Sequence, residues 1–82
     1  MIRGTVKLFA SLREAAGRSE MEWELVDGAT VETLVTHLRK TMPGLDKWAD
    51  RFWLAVNRRY ASPETTLQDG DEVALFPPVS GG

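Results

Sequence analysis

The chain has 82 residues, 43% of them hydrophobic and 27% charged, and its formal net charge is −2. This length supports one small domain with a single core and leaves too little chain for a substrate cavity beside that core. The small negative charge gives no electrostatic basis for binding nucleic acid, and no apolar run approaches the roughly 20 residues of a membrane span. Cysteine is absent, which excludes disulfides, thiolate catalysis and cysteine-based metal sites. A cytoplasmic location is the default expectation.

The first 25 residues predict two strands around a short helix. Residues 2–9 alternate, with apolar side chains on one face and the aromatic Phe9 on the other, otherwise polar, face. Ser11 to Glu14 has the capping-box pattern and Gly17 supplies a stop, so we expect one or two helical turns with Ser11 as N-cap. Residues 20–25 alternate glutamates with large apolar residues, which predicts a strand that pairs back on the first. Outward carboxylates in such a row are far more often hydrated than bound to a metal.

A single long helix follows the Asp27-Gly28 turn. Thr30 is a good N-cap, and Pro43-Gly44 is expected to end the helix. Apolar residues recur at helical spacing and must cover a sheet: Val31, Leu34, Val35, Leu38 and Met42. His37, the only histidine, lies on the polar side and is expected at the surface.

The second half predicts short strands. Residues 45–52 look irregular or weakly helical, with candidate anchors Leu45, Trp48 and Phe52. A strand over 53–57 turns through Asn57-Arg58 into a very short strand that contains Tyr60, and Leu67 is an isolated core anchor. After the Asp69-Gly70-Asp71 turn, residues 72–76 form the last strand, with Val73 and Leu75 inward and Phe76 outward.

These elements predict an α+β fold. One long amphipathic helix on one face of a mixed sheet of about five strands is the economical arrangement, and a right-handed crossover places the last strand parallel to the first at the sheet centre. That is a ubiquitin-like β-grasp domain over residues 1–76. Phe9 and Phe76 would then lie together on the other face, Tyr60 could join them, and an exposed aromatic patch of this kind is a docking surface.

Residues 77–82 form the predicted tail. Pro77 and Pro78 stiffen its start, and Gly81 and Gly82 end it without side chains. Extended, six residues reach roughly 20 Å, enough to push a terminal carboxylate deep into a partner. The plain alternative is a frayed terminus without a function.

Several segments together resemble a known family. They are Leu8 to Glu14, Ala55-Val56-Asn57, Asp69 to Ala74 and, above all, Phe76-Pro77-Pro78-Val79-Ser80-Gly81-Gly82. In order and length the chain resembles the small, sulfur-carrying subunits of molybdopterin synthase within the MoaD/ThiS family. Thiamin-pathway carriers are usually shorter and lack the proline pair.

The resemblance implies sulfur transfer at the last residue. A free α-carboxyl group has a pKa of about 3.3–3.7, so at neutral pH it is an ionised and poor electrophile that must first be activated. The chain has no Gly-rich phosphate loop, which places activation in another protein. The family implies a ubiquitin-activating-type adenylyltransferase that uses ATP, a sulfur-donor protein, and a large synthase subunit in a heterotetramer, with no cofactor or metal bound by this chain. There the loaded tail would donate sulfur to cyclic pyranopterin monophosphate and build the molybdopterin dithiolene.

By position, the resemblance assigns the following roles. Gly82 carries the thiocarboxylate and Gly81 gives steric clearance, without any autonomous active site. Phe9, Tyr60 and Phe76 supply a docking patch, Arg13 adds a polar contact, and Pro77, Pro78, Val79 and Ser80 enter the partner. Three alternatives stay open: a sulfur carrier for thiamin or tRNA thiolation, a ubiquitin-like modifier that forms isopeptide bonds, and an interaction module whose tail does nothing.

Overall fold

The computed structural model describes residues 1–42 and 53–76, which form one sheet and two helices. In chain order the elements are β1 (Ile2–Leu8), α1 (Ala10–Ala16), β2 (Glu20–Leu25), α2 (Val31–Thr41), β3 (Trp53–Val56), β4 (Arg59–Tyr60) and β5 (Glu72–Phe76). The anchors predicted at Leu45, Trp48 and Phe52, the helix stop at Pro43-Gly44 and the tail at 77–82 lie outside the described residues.

The five strands stand in the order β2-β1-β5-β3-β4. β1 and β5 are parallel neighbours at the centre, and every other pair is antiparallel. The predicted mixed sheet, with the last strand beside the first, is therefore confirmed. Because the two strands are parallel, the end of β1 lies beside the end of β5, with Leu8 opposite Leu75.

The core joins the inner sheet face to α2. Val31, Leu34, Val35 and Leu38 are buried, which confirms the predicted stripe, and Leu67 is buried as expected. Helix α2 begins as the sequence predicts, because the Oγ1 of Thr30 accepts from the backbone N–H of Thr33 at 3.3 Å. The reciprocal bond from the Thr30 N–H to the Thr33 Oγ1 completes a capping box. Such a cap stabilises a helix by about 1 kcal/mol.

Helix α1 departs from the prediction at its start. It begins at Ala10 with Phe9 as N-cap, so Ser11 lies inside the helix and the predicted Ser11 capping box is wrong. The reason is tertiary: the Phe9 N–H still donates to the Leu75 carbonyl of β5, and Ala10 turns the chain at once with a φ of 50°. Gly17 ends the helix in the left-handed region, as expected.

Gly4 allows a close approach at the centre of β1. The indole of Trp23, its antiparallel neighbour, is buried, and its Nε1–H donates to the Asp71 carbonyl at 3.3 Å. A Cβ on Gly4 would collide with that carbonyl oxygen and with the indole ring. Glycine is thus required where the Trp23 ring lies across the strand.

Charges line the outer side of β1 and β2. The Nε of Arg3 lies 2.7 Å from Glu24 Oε2, and this hydrogen bond and the carboxylate charge raise the pKa of Arg3 above its usual value. His37 is exposed on α2, as predicted.

Candidate docking face

The outer sheet face carries the candidate site. Strand register places Trp53 opposite Phe76 and Ala55 opposite both Ala74 and Tyr60. Since paired residues on neighbouring strands point to the same face, these side chains form one surface, on the side away from the buried Val73 and Leu75. The alternation of β5 thereby puts an aromatic ring on the outer face at its last residue.

Phe9 and Phe76 stack at the end of the two central strands. Their ring centroids are 4.7 Å apart and their planes differ by 11°. The Phe9 ring is nevertheless 40% exposed. The sequence expectation that these two aromatics meet outside the core is confirmed. Phe76 is the residue that directly precedes 77–82 in the chain.

A shallow depression of about 380 Å³ lies beside the stacked pair. Ala55 and Ala74 are buried beneath it, because small side chains leave room between their larger neighbours. The other residues that line it are Lys7, Phe9, Arg58, Tyr60, Glu72 and Phe76. The result is an apolar floor with aromatic and charged walls, a shape suited to an apolar side chain from another protein.

Tyr60 and Trp53 extend the aromatic surface toward the sheet edge. Their rings meet edge to face with centroids 5.8 Å apart, and they are 79% and 50% exposed. Trp53 was not among the site residues predicted from the sequence. Strand alternation could have found it, because Trp53 and Ala55 are two residues apart and point to the same face, whereas Leu54 points to the other.

The β3–β4 turn is tied to the turn before β5. Asn57 Nδ2 donates to Asp71 Oδ1 at 2.9 Å, and Asn57 Oδ1 accepts from the Glu72 N–H at 3.0 Å. The second oxygen of the buried Asp71 accepts from the Gln68 N–H at 2.7 Å. These bonds fix one wall of the depression. They also give a physical role to two segments that carry the family resemblance, Ala55-Val56-Asn57 and Asp69 to Ala74.

The remaining predicted site residues lie elsewhere. Arg13 is exposed on α1 and is not among the residues that line the depression. The tail residues Pro77, Pro78, Val79, Ser80, Gly81 and Gly82 lie outside the described residues. Within residues 1–42 and 53–76, no three His, Asp or Glu side chains form a group that could hold a metal ion.

The sequence profile of the ThiS family matches residues 6–82. The chain belongs to that family. Among curated relatives, the molybdopterin synthase sulfur carrier subunit of Mycobacterium tuberculosis is 40% identical, with 100% of both chains covered. The protein of the same name from Chlamydomonas reinhardtii is 43% identical over 94% of this chain and 95% of its own.

Solved structures of ThiS relatives share the β-grasp fold. The small archaeal modifier protein 1 of Haloferax volcanii matches with a TM-score of 0.88 at 30% identity, over 96% of this chain and 100% of its own. A putative molybdopterin converting factor subunit 1 from Pyrococcus furiosus matches at 0.84 and 36% identity, with the same coverage. A chain in the Helicobacter pylori complex of molybdopterin-converting factor subunits 1 and 2 has the same fold, with a TM-score of 0.73 at 24% identity and coverage of 99% and 100%.

Neither of the two described helices of this ThiS-family chain, with 7 and 11 residues, could span a membrane.

Proposed function

We propose that this chain is the sulfur-carrier subunit of a molybdopterin synthase and that Gly82 carries the sulfur as a thiocarboxylate. The observation that carries the proposal is end-to-end similarity: a relative of that name aligns over 100% of both chains at 40% identity. The family match also runs through Gly82 itself.

The chemistry begins with activation of the Gly82 carboxylate by a partner. A carboxylate oxygen attacks the α-phosphorus of ATP in a ubiquitin-activating-type adenylyltransferase, which gives an acyl-adenylate and releases pyrophosphate. A sulfide-level sulfur delivered by a donor protein then attacks the carbonyl carbon, the bond to the AMP oxygen breaks, and the thiocarboxylate and AMP are formed. This chain supplies the carboxyl group and binds no cofactor, and ATP is used by the activating partner.

The docking face supports a carrier role. The exposed Phe9 stacks on the partly buried Phe76, and Phe76 directly precedes residues 77–82. In the proposed function, a protein that binds this pair is therefore next to the point where residues 77–82 begin. In the proposed function Tyr60 widens this contact, Arg13 adds a polar one, and Pro77, Pro78, Val79 and Ser80 lead through the partner to Gly81. Glycine at that position gives the clearance that a narrow channel needs.

The last step takes place in the large synthase subunit, in a heterotetramer. Two thiocarboxylates in turn each transfer one sulfur there to cyclic pyranopterin monophosphate, which gives the two sulfurs of the dithiolene. After each transfer, water hydrolyses the Gly82 acyl group and releases it as the carboxylate. In this sense the chain acts as the sulfur-donating half of a cytoplasmic sulfurtransferase.

Reconstitution tests the proposal. The chain is first incubated with its adenylyltransferase, ATP and a sulfur source, and then with the large subunit and cyclic pyranopterin monophosphate. We expect molybdopterin from the full-length chain, and none from a chain lacking Gly82 or from a mixture lacking ATP. Equal product from the chain lacking Gly82 would contradict the proposal.

A second candidate function is protein modification. The likeness to a small archaeal modifier protein, at a TM-score of 0.88 and 30% identity, favours it. Its product would be an isopeptide bond between Gly82 and a lysine of another protein. Because Arg59 is the last lysine or arginine of the chain, trypsin would leave residues 60–82 on that lysine, and a search for this remnant in cell extracts decides.

A further inference from the structure

Arg58 occupies a backbone position that suits glycine better. The two residues of the β3–β4 turn, Asn57 and Arg58, both have positive φ values, of 51° and 70°. Two-residue turns of this kind favour Asn followed by Gly, because a Cβ in the left-handed region meets the neighbouring carbonyl. Asn57 fits the preference and Arg58 does not. The fold therefore gives no reason for an arginine here.

The side chain of Arg58 lines the depression without a charged partner. The other cation in the depression, Lys7, has its Nζ 3.5 Å from Glu72 Oε2. Arg58 makes no ion pair or side-chain hydrogen bond with any residue of the two described ranges. Arg58 therefore lines the apolar floor of the depression and has guanidinium donors that no described residue occupies.

The turn holds Arg58 in a fixed place. The backbone N–H of the preceding Asn57 donates to the Glu72 carbonyl at 2.8 Å, in addition to the two side-chain bonds that Asn57 makes. The Cα of Arg58 is therefore anchored through its neighbour to the start of β5. A guanidinium on a rigid base loses less freedom when it binds than one on a mobile loop.

We propose that Arg58 is a binding residue of the docking face and that its guanidinium binds an Asp or Glu carboxylate of the large synthase subunit. The planar guanidinium can donate two parallel hydrogen bonds to that carboxylate, while an apolar side chain of the same subunit covers Ala55 and Ala74. The positive charge of Arg58, unpaired among the described residues, and its place in the same depression as the stacked Phe9–Phe76 pair support this occupant. The inference rests on the proposed function, because it names that function's partner.

Calorimetric titration with the large subunit tests the inference through Arg58→Gly. We expect this variant to bind about 10-fold more weakly, because a charge-assisted contact is lost, and to melt about 4 °C higher, because the left-handed strain is relieved. The loss of affinity is expected to shrink as salt is added. If Arg58 served only the fold, Arg58→Gly would not combine a higher melting temperature with weaker binding of the large subunit.

Arg59→Gln is the matched control. It removes the same charge one residue away, from an exposed position on β4 that does not line the depression, and its affinity is expected to stay within about twofold of the parent. Parent-like binding by Arg58→Gly, or an equal loss in Arg59→Gln, would overturn the inference and leave the proposed function standing. An unaltered chain that does not bind the large subunit would contradict both.

Discussion

Phe9 stacks on Phe76 across the parallel pair of central strands, with ring centroids 4.7 Å apart. Phe9 directly follows β1 and Phe76 ends β5, so the two rings can meet only after these two strands have paired. Both rings lie outside the core, and Phe9 keeps 40% of its surface exposed. An aromatic pair held in this way is preorganised, so its side chains lose little conformational freedom when a partner binds.

Phe9→Ala should weaken binding of the large subunit by more than 10-fold, because a central aromatic anchor of an interface typically contributes at least about 2 kcal/mol. The stability of the isolated chain should fall by only about 1 kcal/mol, the value of a lost aromatic pair. Titration and urea unfolding measure the two effects. Val26→Ala is the control, since Val26 is 62% exposed and does not line the depression. Unchanged affinity in Phe9→Ala would remove the docking role.

Gly4→Ala should destabilise the fold by about 3 kcal/mol, the upper range for overpacking, because the new Cβ meets the Asp71 carbonyl oxygen and the Trp23 ring. Gly17→Ala is the comparison. Gly17 has a φ of 77° but open space around it, so only backbone strain of about 1 kcal/mol is expected there. Urea unfolding of both variants separates steric from conformational cost. Equal losses would show that the approach of Trp23 does not limit residue 4.

Asn57→Gly should lower the free energy of unfolding by about 1–3 kcal/mol. Glycine keeps the positive φ but loses the hydrogen bonds to Asp71 and Glu72, and it leaves one oxygen of the buried Asp71 without its donor. Arg58→Gly, at the next residue of the turn, should change stability in the opposite direction. If thermal melting shifts both variants the same way, the assigned roles of the two residues are wrong.

Binding of the large subunit should change the fluorescence of Trp53. This indole is half exposed beside the docking face, whereas Trp23 is buried, so covering the face moves Trp53 from water to an apolar contact. With Trp48, the third tryptophan of the chain, replaced by Phe in both proteins, we expect a blue shift when Trp53 is present and a much smaller one in Trp53→Phe. A full shift in Trp53→Phe would place the contact elsewhere.

Periodic features of the sequence predicted most of the fold. Strand alternation placed Phe9 and Phe76 outside the core, and the helical stripe of α2 identified its buried face, because burial imposes a fixed period on each element. The Ser11 cap failed because a local pattern competed with a long-range one: Phe9 remains bonded to Leu75, and the helix starts directly after it.

Contacts that follow no periodic sequence pattern were not predicted from the sequence. The hydrogen bonds between Asn57 and Asp71 join two turns that are distant in the chain, and no spacing rule connects them. Trp53 was assigned to a strand, but its part in the outer face depends on its register with Phe76, which only the folded sheet defines. The depression likewise depends on two alanines that meet across strands.

The intact mass of the chain, measured after incubation with the adenylyltransferase, ATP and a sulfur source, shows whether Gly82 is loaded with sulfur. We expect a gain of about 16 Da, as sulfur replaces one oxygen of the terminal carboxyl, and fragmentation should place it on Gly82. A chain lacking Gly82 should unfold at the same temperature as the parent and show no gain. An unchanged mass with active partners, or a gain located away from Gly82, would mean that Gly82 does not carry the sulfur.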